Sequence, residues 1–536
     1  MKVIKKLILV LLVMVLILST AGCAQSQGGD IVESEGSDEN SSQESENNEK
    51  DNENPVIVRL RGGDYGLSHP FACYSRGPGF YKVKLVFDSL VEKDHSGQIP
   101  WLAKSWDVKD GGQKYVFQLR EDVKWSDGES FTAEDVVFTY EYIKDFPAMG
   151  ANDLALKNGI VDEVNALSDY EVEFSLTNPN PGFIDAVITI NIIPKHIWEK
   201  VERPDEFTSP ESLVGTGPYT LTDYSKENGT YRFEAREDFW GPAQGVDIIE
   251  YVPVSDEVLA LEKGDIDLAS IPSDSLSRFQ DNPSFTIMEN PGVWGYRLRF
   301  NMEKLPELKI KELRQAFAYA IDRQDIVDKI GRGAGVPGSM GILPPDHIWY
   351  NSELPKYERN IDKAKELLEQ IDTDTIEYEL LVGEGSEVRM GELIKQHLEE
   401  GGIKVNVVST DTKSRDGRIA DGNYDLIIVG HGGWARDVDY LRTRFQNTID
   451  DWASGTPGYD NPKFTKLADM QLNEFDNSKR KEIVMDIQKI LAEDIPEIPL
   501  YMKTGYTVYR NTTYDGWMYA YDHHQSTHNK LSFLNY

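Results

Sequence analysis

The chain has 536 residues, 91 of them Asp or Glu against 56 Lys or Arg, for a formal charge of −35 at pH 7. A surface that acidic repels nucleic acid and anionic lipid, which excludes both as partners held by charge. The length exceeds what one hydrophobic core serves and calls for two or three cores.

The first residues, Met1 to Lys6, are basic, and an uncharged apolar run follows from Leu7 to Leu18. This is the layout of a secretory signal, and the run falls short of the roughly 20 apolar residues that span a bilayer. Small residues Ser19, Thr20, Ala21 and Gly22 then precede Cys23, one of only two cysteines in the chain. The segment resembles a bacterial lipobox, with Thr20 where leucine is usual, in which Cys23 is lipidated and becomes the mature N-terminus. Ordinary cleavage near Ala21 or Ala24 is the alternative, and it leaves Cys23 a stray thiol. Residues 24–54 carry ten acidic residues, one lysine and no aromatic. Such a segment buries too little apolar surface to offset its ordering entropy, so a disordered tether is expected. Residues 1–22 thus read as a signal peptide and 23–54 as a lipidated acidic tether, holding a soluble body at the extracytoplasmic face of the cell membrane. With Cys23 lipidated, Cys73 stands alone and no intrachain disulfide forms.

The body opens on an alternating strand, Val56 to Arg61, and a Gly62-Gly63 turn. KYVFQLR (114–120) sets Tyr115, Phe117 and Leu119 on one face, the mark of a half-buried strand. Asp127-Gly128 signals a turn, and Thr132 with Asp135 has capping-box spacing ahead of an apolar-periodic helix. The stretch 312–330 predicts an amphipathic helix with Leu313, Phe317, Ala320 and Ile321 on its stripe. KAKELLEQ and KRKEIVMDIQKILAED predict two more helices. IKVNVVS and YDLIIVG predict strands alternating with them, an α/β arrangement.

Five segments in order carry a family resemblance: WLAKSWDVKDGGQKYVFQLREDVKWSDGESFTAEDVVFTYEYI, VGTGPYTL, RLRFNMEK with LRQAFAYAIDRQDIV, IDKAKELLEQ, and RKEIVMDIQKILAEDIPEIPLY. From about Val56 to the C-terminus the chain resembles the family 5 extracellular solute-binding proteins, the peptide/nickel receptors of ABC importers. The resemblance implies an α/β, two-lobed periplasmic-binding-protein-like fold of type II, with an extra subdomain inserted in lobe I. The expected boundaries are 55–97, 209–295 and 499–536 for lobe I, 98–208 for the inserted subdomain and 296–498 for lobe II. It implies permease subunits of an ABC importer as partners, a peptide or metal chelate as ligand, a monomer and no cofactor. It also implies a hinge on strands near 290–300 and 495–505.

The residues themselves exclude several enzyme classes. There is no G-x-S-x-G elbow, no H-E-x-x-H helix and no Gly-Lys pair for a phosphate loop. GAGVPG (333–338) fits G-x-G-x-x-G but follows a helix and contains Pro337, so it reads as a loop rather than a dinucleotide fingerprint. No pair among the abundant carboxylates is singled out for glycosidase chemistry.

A binding cavity uses aromatic walls and a few fixed polar groups. GHGGWARDVDYL (430–441) follows a strand, and in peptide receptors of the resembled family the matching loop carries a Trp and, three residues on, an Asp that binds the ligand's α-ammonium. Trp434 and Asp437 fall at that spacing, although Asp439-Tyr440 stands where the family has Asp-Pro. The other reading of Asp437 is the cap of a surface turn. DYGLSHPF (64–71) contributes His69, and YSRGPGFY (74–81) offers Arg76 as a candidate partner for a ligand carboxylate. NPGVWGYRLRFN (290–301) places Trp294 and Tyr296 near the cleft, against the reading of both as sheet core. His523, His524 and His528 near the C-terminus are candidate metal ligands, with His431 beside Trp434. The competing reading has these histidines hydrogen-bonded at a lobe surface, and SFLNY after them reads as a strand.

Overall fold

The computed structural model of the protein describes residues 54–74, 79–94, 96–148, 160–345, 347–371, 377–431, 437–446, 455–519 and 529–536. The signal, Cys23 and the tether lie outside the described residues. Among the described residues no helix is long and apolar enough to cross a membrane.

The first strand, Ile57–Arg61, buries Val58 and Leu60 and turns its alternate residues outward, as its period of two requires. It runs parallel to Ile248–Val252, which pairs antiparallel with Thr230–Ala235, and that strand with Tyr219–Ser225. Phe233, Ile249 and Tyr251 face a core shared with the helix Gly79–Val86. The C-terminus returns to this core. The Tyr219 hydroxyl lies 2.8 Å from the Val246 carbonyl and 3.2 Å from that of Phe533. Lys530 is fully buried and pairs with Asp88 at 2.6 Å and Glu92 at 2.7 Å, while Lys84 holds Glu92 from the other side at 2.8 Å. Burial alone would raise the Glu92 carboxyl, but these two ammonium groups hold it down to about 2. SFLNY is therefore not a strand: Lys530–Phe533 forms a 3-10 turn, because the Asn529 side chain accepts from the amides of Leu531 and Ser532.

A second, antiparallel sheet runs in the order Ala103–Lys109, Lys114–Leu119, Glu171–Leu176, Val161–Ser168. Tyr115, Phe117 and Leu119 enter its core as the alternation predicts. The expected capping box is present: the Thr132 amide donates to Asp135 at 2.9 Å and opens the helix Ala133–Asp145. Gly128 takes φ +94° at the Asp127-Gly128 turn, a conformation that favours glycine.

The largest sheet has the order Leu268–Ile271, Glu497–Arg510, Phe285–Phe300, Leu426–His431, Glu377–Val382, Lys404–Ser409. Its last three strands are parallel, and helix Ser386–Glu400 connects Glu377–Val382 to Lys404–Ser409 as a crossover. Ile361–Glu369 and Asn477–Asp494 are helical where expected. Two expectations need correction. The 312–330 helix is two helices, Lys311–Ala320 and Arg323–Lys329, because Ile321 is extended and the Asp322 side chain caps the second one at the Asp325 amide. The GAGVPG segment is not purely loop: Gly335–Pro337 is a short edge strand on Glu497–Arg510.

Two long strands, Phe285–Phe300 and Glu497–Arg510, cross from one core to another. At one end Phe285, Ile287 and Val508 pack around Phe279 and Leu261. At the other end Leu298, Phe300, Ile498 and Leu500 enter the core of the parallel strands. Their register breaks between Asn290 and Trp294.

Lys82 on helix Gly79–Val86 is 1% exposed, and its side-chain nitrogen has no hydrogen-bond partner among the described residues. It lies 3.6 Å from the Tyr251 ring centroid, 4.8 Å from Tyr65 and 5.0 Å from Tyr231, a cage of cation–π contacts. Burial lowers its pKa from 10.5 to about 7. Between those values the unfolded chain holds a proton that the folded one lacks. Stability should therefore rise as pH climbs from 7 toward 10.5, and the burial penalty is complete below pH 7. One proton gives a slope of up to about 1.4 kcal/mol per pH unit. Urea unfolding between pH 6 and 10 should show Lys82→Met losing that slope relative to the native chain; equal slopes would show that Lys82 is charged in the fold.

Candidate functional site

The crossing strands carry a continuous strip of aromatic rings. Residues paired across neighbouring strands share a face, and Trp294 pairs with Lys503 while Tyr296 pairs with Tyr501. Trp294 meets Tyr296 edge-on with centroids 4.9 Å apart, and Tyr296 lies 5.7 Å from Tyr501. The Lys503 ammonium sits 5.3 Å from the centroid of Trp294. Gly430 makes room for this strip: a Cβ there would come within 2.3 Å of an indole carbon. Strand Leu426–His431 therefore ends beside Trp294, with the His431 backbone paired to Gly295.

The large α/β core supplies a polar border. Ser386 and Glu387, at the start of helix Ser386–Glu400, approach the Tyr296 hydroxyl, whose pKa is raised by burial and then by Glu387. Glu387 is held by Arg415 at 2.9 and 3.1 Å and by the Gly383 amide at 2.8 Å. Its charge is thereby compensated locally.

Asp437 follows the same strand and is also compensated. Arg480 grips both of its carboxylate oxygens, one at 2.7 Å. Arg480 is buried, donates to Gln471 at 2.7 and 3.0 Å, and lies 5.4 Å from the Trp349 ring. Gln471 in turn donates to Asp439, which pairs with Arg442 at 2.6 and 2.7 Å. On its outer side Asp437 meets the second sheet's neighbourhood: a Cβ on Gly182 would lie 2.9 Å from the Asp437 carboxyl carbon. The Tyr115 hydroxyl donates to Asn180 at 2.7 Å in the same place, and burial, then Asp437, raise its pKa. Asp437 is thus the point where the 180–182 turn touches the large α/β core.

The structure brings Trp294, Tyr296 and the backbone of His431 together, and Asp437 lies against Arg480 and Gly182. Arg76, Trp434, His523, His524 and His528 lie outside the described residues, as does the side chain of His431. His69 is corrected by its surroundings: it is 0% exposed, its ring is 5.5 Å from that of Trp198, and its Nδ1 accepts from the Phe71 amide at 3.2 Å. Burial lowers its pKa to about 4, so it is a neutral core histidine with no face open to a ligand. Among the described residues no group of three His, Cys, Asp or Glu side chains could hold a metal ion. Sequence reasoning missed Tyr501, Lys503 and Arg480. Lys503 had one local signal, a lone charge ending the apolar run Ile498 to Met502.

Comparison with known proteins bears on what this strip serves. The family described as bacterial extracellular solute-binding proteins, family 5 middle, matches residues 97–451. The dipeptide-binding protein of Escherichia coli (strain K12) is 26% identical over 440 residues, covering 75% of this chain and 80% of that protein. The nickel-binding periplasmic protein of the same organism is 26% identical over 453 residues, covering 78% and 84%. A putative peptide-binding protein, AppA, from Clostridium difficile has the same fold, with a TM-score of 0.75 at 20% identity over 90% of this chain and 99% of its own. The two-lobed α/β scaffold, its crossing strands and this match over most of the body establish that the chain belongs to the bacterial extracellular solute-binding proteins of family 5.

Proposed function

We propose that the protein captures small peptides outside the cell and delivers them to the permease of an ABC importer. The observation that carries this reading is the aromatic strip on the crossing strands, which runs from Tyr501 and Tyr296, buried in the large core, out to the half-buried Trp294 beside the strand end that leads into residues 432–436. Aromatic walls of this kind hold a peptide backbone without selecting side chains. The relative that binds dipeptides by name favours a peptide, and the nickel-binding relative favours a second reading, a metal chelate held by His431 or by His523, His524 and His528. The receptor works as a monomer, with the lobes bounded as the sequence resemblance implies and with Trp434 as a further wall. Cys23 carries the lipid that tethers it to the outer face of the membrane.

Asp437 enters this reading as an Asp–Arg pair. An α-ammonium that reaches its carboxylate has to share it with Arg480, so the charge available to a ligand is small. Three outcomes follow. Native mass spectrometry of protein purified without added ligand should show a ladder of peptide masses; a bound metal ion in its place selects the chelate reading, and a bare protein contradicts both. N-acetylation of a bound peptide should weaken binding less than about tenfold, whereas a loss of several hundredfold would mean that the ammonium displaces Arg480. Cys23→Ala should leave the body folded and release it from membranes, and retention through a carbonate wash would overturn the anchor.

A further inference from the structure

We propose that Lys503 selects the ligand by its charge: the solute that fills the cleft presents a carboxylate, which the Lys503 ammonium receives beside the Trp294 indole. The inference rests on the reading of the strip as a ligand wall, and it adds the chemical class that the wall accepts.

The cation is placed by the strand register. Lys503 faces Trp294 on one neighbouring strand and Gly335 on the other. An aromatic ring and a glycine are the two cross-strand partners, and neither brings a counter-charge. No described residue forms an ion pair or hydrogen bond with the Lys503 ammonium, although acids outnumber bases in this chain by 91 to 56. The buried Lys84, Lys93 and Lys530 each hold a carboxylate within 2.8 Å, and buried Lys82 is enclosed by three aromatic rings, whereas the exposed Lys503 has only the Trp294 ring among the described residues.

The carboxylates around the strip are already balanced. Asp437 is gripped by Arg480, Asp439 by Arg442 and Glu387 by Arg415. Lys503 is therefore the one charge left over on the described part of this wall, and its sign is positive. Its side chain stays open to water, yet the strands around it desolvate the ammonium and lower its pKa. A cation in that state gains more from an arriving anion than one on a convex surface does, because less hydration is lost on pairing. The Trp294 ring adds a fixed orientation: a cation resting over an aromatic face leaves its remaining N–H groups directed away from it. The register break between Asn290 and Trp294 lies next to this point, and Gly292 within it leaves the ribbon without bulk there.

The bland role for Lys503 is a stem that shields Trp294 from water. Lys503→Met keeps that cover and removes the charge, and Lys503→Arg keeps both. The test is a calorimetric panel on the native chain and the two variants, using trialanine, trialanine amide, N-acetyl-trialanine and glutarate. Every binder to the native chain is expected to carry a free carboxylate. Affinity should fall about tenfold to a hundredfold in Lys503→Met and recover in Lys503→Arg. Equal binding of trialanine and its amide overturns the role of Lys503 while leaving the peptide reading intact. Binding of glutarate alone, lost in Lys503→Met, supports Lys503 and overturns the peptide reading. Loss of every ligand in both variants overturns the charge argument in favour of packing, and a panel with no binder overturns both proposals.

Discussion

Everything else in this molecule hangs on the antiparallel pairing of Phe285–Phe300 with Glu497–Arg510. Each strand is long enough to be shared between cores that neither neighbouring sheet could join alone. The constraint is one of backbone hydrogen bonding: the two strands satisfy amides by pairing with each other as they pass between the cores, with the short strand Gly335–Pro337 alongside Tyr501 to Lys503. Because side chains alternate along Phe285–Phe300, Trp294, Tyr296, Leu298 and Phe300 share one face: Tyr296, Leu298 and Phe300 are buried in the large core with Tyr501, and Trp294 carries that face outward to Lys503. The same geometry that joins the parts of the fold thus builds the wall on which a solute is expected to rest. Register shifts within the ribbon, between Asn290 and Trp294 and again between Tyr296 and Arg297, mark where regular pairing gives way beside that wall.

Charge is distributed to match. The surface is strongly acidic, but the interior pairs its ions with care. Lys530 reaches back across most of the chain to Asp88, whose second oxygen accepts from Thr216 at 2.9 Å while Trp101 donates to the first at 2.7 Å. Such a network is stabilising only when every member is satisfied, and it ties the C-terminal residues to the first sheet. Asp437, Arg480, Gln471, Asp439 and Arg442 form a second closed network, positioned where the Gly182 turn meets the large core. Against two closed networks, the Lys503 ammonium beside Trp294 has no counter-charge among the described residues.

Much of the fold was legible in local pattern. The strand at Ile57, the capping box at Thr132, the helices at Ile361 and Asn477, and the strands at Lys404 and Leu426 each have a period or a cap within their own residues. The misread places are those where a side chain competes locally with the periodic signal: Asp322 ends one helix by capping the next, and Asn529 turns an apolar run into a 3-10 turn. The site was half legible. Trp294 and Tyr296 announce themselves as aromatics in a Gly-punctuated strand. Tyr501 and Lys503 join them only through a register more than two hundred residues long in sequence, and no local pattern encodes it. The same is true of Arg480, whose capture of Asp437 changes what the family-like spacing of Trp434 and Asp437 can offer a ligand. His69 misled for the opposite reason: its loop stands where the resembled family lines its pocket, but packing on Trp198 and Phe71 buries the ring.

Hydrogen exchange along the two crossing strands is the most direct measurement of whether the ribbon is at once the link between lobes and the ligand wall. Protein as purified would be compared with protein unfolded, dialysed and refolded to strip its ligand. Amides at 290–296 and 501–505 should exchange more slowly in the loaded protein, while those of Leu298 to Phe300, already locked in the large core, stay unchanged. Slowing confined to segments away from the ribbon, with 290–296 and 501–505 indifferent to loading, would contradict it.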